Sequence, residues 1–171
     1  MTEQVKHIAL IGFMGCGKTM VGIKLAQQLQ LNHIDTDKVI EIMEGRSIMR
    51  IFEEDGEDYF RKLESELLAE AVAAADQLVI STGGGAILLA KNRELLKQTV
   101  VFYLQVSPEV IYERVKNDIS RPLLAGDNDL LARIRGILAE REQLYLEVAD
   151  KVISADNKRI SDIIDEIRRQ I

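Results

Sequence analysis

Cysteine, proline and long apolar runs are all scarce in this chain of 171 residues, and each shortage closes off a class of protein. Cys16 is the only cysteine, so no internal disulfide can form, which fits a reducing compartment. No apolar stretch approaches the roughly 20 residues needed to cross a bilayer. Met1-Thr2-Glu3-Gln4 is too polar to open a signal peptide, so no membrane association and a cytoplasmic location are expected. Repeats, low-complexity tracts and linkers are missing as well, and the length suits one domain spanning 1–171. Basic charge is outnumbered: 22 Lys and Arg against 28 Asp and Glu leave a formal charge of −6. That balance argues against a nucleic-acid partner, and any anion must be held by individually placed groups.

What is present starts at Gly12. Residues Gly12 to Thr19 read G-F-M-G-C-G-K-T, which satisfies the pattern G-x-x-x-x-G-K-[ST], directly after the apolar run Ile8-Ala9-Leu10-Ile11. Glycines let consecutive N–H groups curl around an oxyanion, and a helix starting near Lys18 points its positive dipole end at the same place. Lys18 is expected to reach the outer phosphates of a nucleotide, and Thr19 to offer a hydroxyl to Mg²⁺. Cys16 reads as a tolerated small residue with no catalytic role.

Apolar segments alternate with helical patterns along the whole chain. Strands are expected at 6–11, 32–36, 77–82, 99–104 and 150–154, and helices at 18–30, 38–54, 57–75, 86–97, 108–117, 129–148 and 159–170. Such alternation predicts an α/β fold, a parallel sheet covered by helices on both faces. The last helix carries a stripe of Ile160, Ile163, Ile164, Ile167 and Ile171. Two segments interrupt the regularity, the helical insert 38–75 and the loop 117–128 with its Pro122 and Gly126. Both are candidates to overhang the crevice beyond the carboxyl ends of the strands, as substrate-holding element and lid.

Several residues invite a chemical reading beside a plainer one. Asp35 and Asp37, at the end of a short strand, are expected to project to one side with Thr36 opposite, as a metal acid and a substrate acid; alternatively Asp37 caps the next helix. Gly83-Gly84-Gly85 would leave N–H groups bare for close ligand approach, or form a tight turn. Arg141 falls within the apolar stripe of its helix and needs an anion, either a structural carboxylate or a ligand. Glu64 lies three residues after Arg61, as an ion pair or to orient that guanidinium toward a ligand. Arg121, in the loop, could close on a transferring phosphoryl group.

In this order, G-F-M-G-C-G-K-T, D-T-D at 35–37, F-R-x-x-E at 60–64, G-G-G at 83–85, R-P-L at 121–123 and R-x-x-x-Y at 141–145 resemble the shikimate kinase family of P-loop proteins. The resemblance implies a five-stranded parallel sheet in the order 2-3-1-4-5, usually monomeric. It implies Mg²⁺-dependent transfer of the ATP γ-phosphoryl group to the 3-hydroxyl of shikimate. Carried over by position, Arg61 and Arg141 clamp the shikimate carboxylate, Asp37 with Gly83, Gly84 and Gly85 holds its hydroxyls, and Asp37 is the proposed base. Asp35 and Thr19 serve Mg²⁺, Lys18 and Arg121 the phosphates, and Gly15, Cys16, Gly17 and Met20 complete the nucleotide loop. Arg114 and the loop around Lys158 take the adenine.

Rival readings remain. A kinase acting on gluconate shares the need for a carboxylate and hydroxyl site. A regulatory GTPase would want N/T-K-x-D, but Asn157-Lys158-Arg159-Ile160 lacks the final acid. A silent binding protein would have no chemical need for Lys18, Asp35, Asp37 and Arg121 together.

Overall fold

Strand β1 (Ile8–Ile11) is buried at all four residues, as a strand covered on both faces must be. The computed structural model describes residues 6–120 and 129–171. In it, β1 pairs in parallel with β3 (Leu78–Ser81) on one side and β4 (Val100–Gln105) on the other. Edge strands β2 (Asn32–Asp35) and β5 (Lys151–Ser154) complete a parallel sheet in the order β2-β3-β1-β4-β5. The expected α/β class and strand order are what the structure has. The main core gathers buried side chains of β1, β3 and β4 with Leu25 of α1 (Lys18–Leu29), Leu68 of α4 (Glu57–Val72) and Ile134 of α7 (Leu130–Val148).

The insert differs from expectation in being three helices. Gly45, left-handed at φ 66°, ends α2 (Thr36–Glu44), and Ser47 caps α3 (Ile48–Asp55) by accepting from the Arg50 N–H at 3.3 Å. Gly56, at φ 85°, then separates α3 from α4. Ile40, Ile51, Phe60 and Leu67 give these helices a small core of their own. Further on, residues 86–97 divide into a 3-10 turn (Ala86–Leu88) and α5 (Ala90–Leu96). Helix α6 (Pro108–Val115) stops before the loop, most of which lies outside the described residues. Along α8 (Ile160–Arg168), Ile163, Ile164 and Ile167 are buried, but the chain leaves the helix before Ile171, which is 52% exposed. Among the described residues no helix is long and apolar enough to cross a membrane.

Three strand ends set the site. The carboxyl ends of β1, β2 and β3 lead respectively into the Gly12–Thr19 loop, into Asp35 and the insert, and into Gly83–Gly85. Chain segments far apart in sequence therefore meet at one edge of the sheet.

Candidate active site

A cleft of about 350 Å³ opens at that edge, lined by Lys18, Thr19, Asp35, Asp37, Arg61, Glu64, Gly83–Gly85 and Arg141. On one wall stands the phosphate loop. Gly17 is left-handed at φ 100° and serves as N-cap of α1, so the first turn's N–H groups, which have no intrahelical partner, face the loop's hollow. Gly15, at φ 77°, has no room for a side chain: a Cβ would lie 2.8 Å from Val115. Met20 lines the same cleft. Lys18 is only 8% exposed, its ammonium folded back onto the carbonyls of Gly12 at 2.7 Å and Phe13 at 3.0 Å. Cys16 turns its thiol into the core, 3.5 Å from that ammonium, so only its backbone belongs to the loop's hollow.

Asp35 holds two elements at once. Its Oδ2 accepts from the Thr19 hydroxyl at 2.5 Å, and its Oδ1 accepts from the Lys38 N–H at 3.1 Å as the N-cap of α2. The strand therefore ends one residue earlier than the alternation assumed. Asp35, not Asp37, is the cap, and Asp37 sits in the first helical turn. Both carboxylates still line the cleft, Asp37 by helical rather than strand geometry. Thr36 is buried beneath them, its Oγ1 accepting from the Gly83 N–H at 3.2 Å.

The glycine triplet lines the cleft but is crowded on its side-chain side. A Cβ on Gly83 would lie 2.5 Å from Asp37 Oδ1 and 2.6 Å from Glu64 Oε1, and one on Gly85 would lie 2.5 Å from Arg61 Nη1. Gly84 packs against the phosphate loop, and its carbonyl accepts from the Tyr145 hydroxyl at 2.6 Å. Gly83 and Gly85 make room for the protein's own charged side chains. Alternation in one strand cannot reveal that, because the groups filling the space come from α2 and α4.

The opposite wall carries charge in apolar surroundings. Arg61 donates to Glu64 Oε2 at 2.9 Å, and through Nη2 to Glu57 Oε1 at 3.0 Å. Burial opposes the charge on Arg61, but Glu64 and Glu57 outweigh it and hold its pKa above the ordinary value. Glu64 is 1% exposed, and burial pushes its carboxyl up to about 7, with Arg61 pulling the other way. The Glu57 contact was missed in the sequence, although its spacing of four from Arg61 was a usable signal. One side of α7 brings Arg141, 5% exposed, with its guanidinium 6.0 Å over the Phe13 ring. Among the described residues neither Arg141 Nη1 nor Glu64 Oε1 has a hydrogen-bond partner.

Two nucleotide-side expectations fare differently. Arg114 donates to the Gly15 carbonyl at 3.0 Å and so borders the loop. Lys158 is not among the residues that line the cleft, and its ammonium pairs with Glu166 at 2.7 Å. Arg121 lies outside the described residues.

With this geometry in place, comparison with known proteins is decisive. The family model described as shikimate kinase matches residues 14–171. The chain belongs to the shikimate kinase family. A shikimate kinase of Caldanaerobacter subterraneus subsp. tengcongensis is 45% identical over 166 residues, covering 96% of this chain and 95% of the relative. The structure of the Acinetobacter baumannii shikimate kinase in complex with shikimate superposes with a TM-score of 0.93 at 38% identity, over 98% of this chain and 93% of that one. A gluconokinase from Sinorhizobium meliloti reaches a TM-score of 0.53 at 17% identity, a likeness of fold alone. As a member of this family the chain is an ATP-dependent kinase.

Proposed function

We propose that this chain transfers the γ-phosphoryl group of ATP to the 3-hydroxyl of shikimate, giving shikimate 3-phosphate and ADP for aromatic amino-acid synthesis. One observation carries the reading: Arg141 Nη1 is buried without a partner in a cleft that also holds Arg61 and the phosphate loop. A buried guanidinium nitrogen left unpaired is costly unless a ligand completes it, and a carboxylate fits its planar fork. The relative from Acinetobacter baumannii, whose structure holds shikimate, supports that choice of acid.

In this reading Lys18 leaves the Gly12 and Phe13 carbonyls for the nucleotide's phosphates, and the amides at the start of α1 hold the same charge. Asp37 orients the acceptor hydroxyl; with a loose transition state, that positioning outweighs its work as a base. Thr19 and Asp35 offer two oxygens already in contact, a donor set that suits Mg²⁺, which takes one or two protein oxygens beside water and phosphate. When bound, the ion would neutralise charge on the phosphates. Arg121 and Arg114 are assigned to the phosphates and the adenine, and the enzyme is taken to be monomeric and cytoplasmic.

A coupled assay of ADP release with shikimate and gluconate side by side tests the proposal. Turnover with shikimate is expected. Turnover with gluconate alone would overturn it.

A further inference from the structure

Beneath the phosphate loop runs a hydrogen-bonded chain that the proposed reaction does not use. His33 on β2 and Ser81 on β3 meet with His33 Nε2 at 2.9 Å from Ser81 Oγ, and Ser81 Oγ donates to the Lys18 carbonyl at 2.9 Å. A serine hydroxyl has one proton, and here it goes to Lys18, so toward His33 the oxygen accepts and Nε2 carries the hydrogen. The register places Asp35 beside Ser81, and strand alternation sends His33, Asp35 and Ser81 out of the same face of the sheet, against α1. Thr19 and Gly22, three apart on α1, look down on that face. Thr19 meets Asp35, and Gly22 passes over His33 and Ser81 so closely that a Cβ there would lie 2.6 Å from His33 Nε2 and also collide with Ser81 Oγ. The bare Gly22 is what lets this chain of contacts exist.

We propose that His33 and Ser81 are positioning residues for nucleotide binding: together they form a strut that sets the height of the first turn of α1 above β2 and β3. The carbonyl they hold belongs to Lys18. In an α-helix that carbonyl also accepts from the Gly22 N–H, so the strut occupies its second lone pair and ties the turn to the sheet from below. Lys18 and Thr19 are thereby fixed relative to Asp35, the arrangement on which a nucleotide's phosphates would depend. The strut rests on the proposed reading of Lys18 and Thr19 as nucleotide-binding groups. Among the described residues its side-chain hydrogen bonds reach neither Arg61 nor Arg141, so its loss is expected to bear on the nucleotide rather than on shikimate.

Steady-state kinetics of Ser81→Ala, His33→Phe, His33→Gln and Gly22→Ala test it, with MgATP and shikimate varied separately and thermal midpoints recorded. Removing the hydroxyl or the Nε2 donor should raise the KM for MgATP about three- to tenfold, the worth of one hydrogen bond. The KM for shikimate should stay within about twofold, since neither arginine has moved. Gly22→Ala, which pushes the strut aside without removing a member, should reproduce the Ser81→Ala effect. His33→Gln carries an amide N–H at a reach similar to Nε2 and should recover most of what His33→Phe loses.

An unchanged MgATP KM in both Ser81→Ala and His33→Phe would overturn the proposal. So would equal rises in both KM values accompanied by a lower thermal midpoint, the mark of a purely structural role. If Ser81→Ala fails to fold, the phenylalanine and glutamine variants at 33 decide alone: equal losses overturn the strut, and recovery by glutamine supports it. Calorimetric titration of MgADP into the same variants gives a readout independent of shikimate. An enzyme inactive on shikimate would then sink the proposed function, while a weakened MgADP affinity confined to the strut variants would still sustain the strut.

Discussion

The two walls of the cleft treat buried charge in opposite ways. On the phosphate-loop wall the Lys18 ammonium is satisfied by its own loop, through the carbonyls of Gly12 and Phe13, within six residues of chain. Across the cleft, Arg61 and Glu64 satisfy each other, yet Glu64 Oε1 and Arg141 Nη1 keep no partner among the described residues. The first wall's ammonium is satisfied without a ligand and can exchange its contacts for phosphate. The other wall keeps buried polar atoms without a hydrogen-bond partner, which is costly. Specificity should therefore reside in the second wall and phosphoryl chemistry in the first.

The largest effect expected from that division is at Lys18. Lys18→Met should lower kcat by about 10²- to 10³-fold, the usual cost of losing one charge-stabilising group. Circular dichroism should show the fold retained, and retained activity would remove Lys18 from the phosphates. Next comes Arg141→Lys, which keeps the charge and loses the fork. The KM for shikimate should rise roughly 10- to 100-fold, as loss of hydrogen bonds to a charged group implies, with that for ATP nearly unchanged. An equal rise in both would merge the two walls into one.

Glu64 gives a pH test. Its carboxyl is raised from 4.5 to about 7, first by burial, with Asp37 adding to the shift and Arg61 and Arg141 opposing it. Between those two values the folded chain binds more protons than the unfolded one, so this group costs stability as pH rises through the window. Glu64→Gln cannot ionise. Its thermal midpoint should gain on the parent's from about pH 5 to about pH 7.5, and a difference independent of pH would mean the carboxyl is ionised throughout. The smallest effect belongs to Lys158→Ala. An ammonium paired with Glu166 and not among the residues lining the cleft should change the ATP KM by less than about twofold.

The unequal walls also explain what could be read in advance. The phosphate loop was legible because eight consecutive residues, a preceding strand and a following helix carry it. Arg141 was conspicuous as a guanidinium within an apolar stripe, although only the structure put it over Phe13. The reading that failed had assumed that one segment acts alone. Asp35 and Asp37 were placed by strand alternation, but the strand gives way to a helix between them. Gly83–Gly85 do line the cleft, but that Asp37 and Glu64 crowd Gly83 and Arg61 crowds Gly85 could not be read from the strand alone. The pairing of His33 with Ser81 had no signal in the sequence, because it depends on strand register across 48 residues.

By itself, then, the order of residues determined the α/β alternation, the phosphate loop and the list of charged groups, since each depends on neighbours within a few turns of chain. Which of those charges meet, which are paired and which stay open was decided only when the strands aligned. Side chains from α1, α2, α4 and α7 converge on one edge of the sheet, and their burial there depends on packing that no single segment contains.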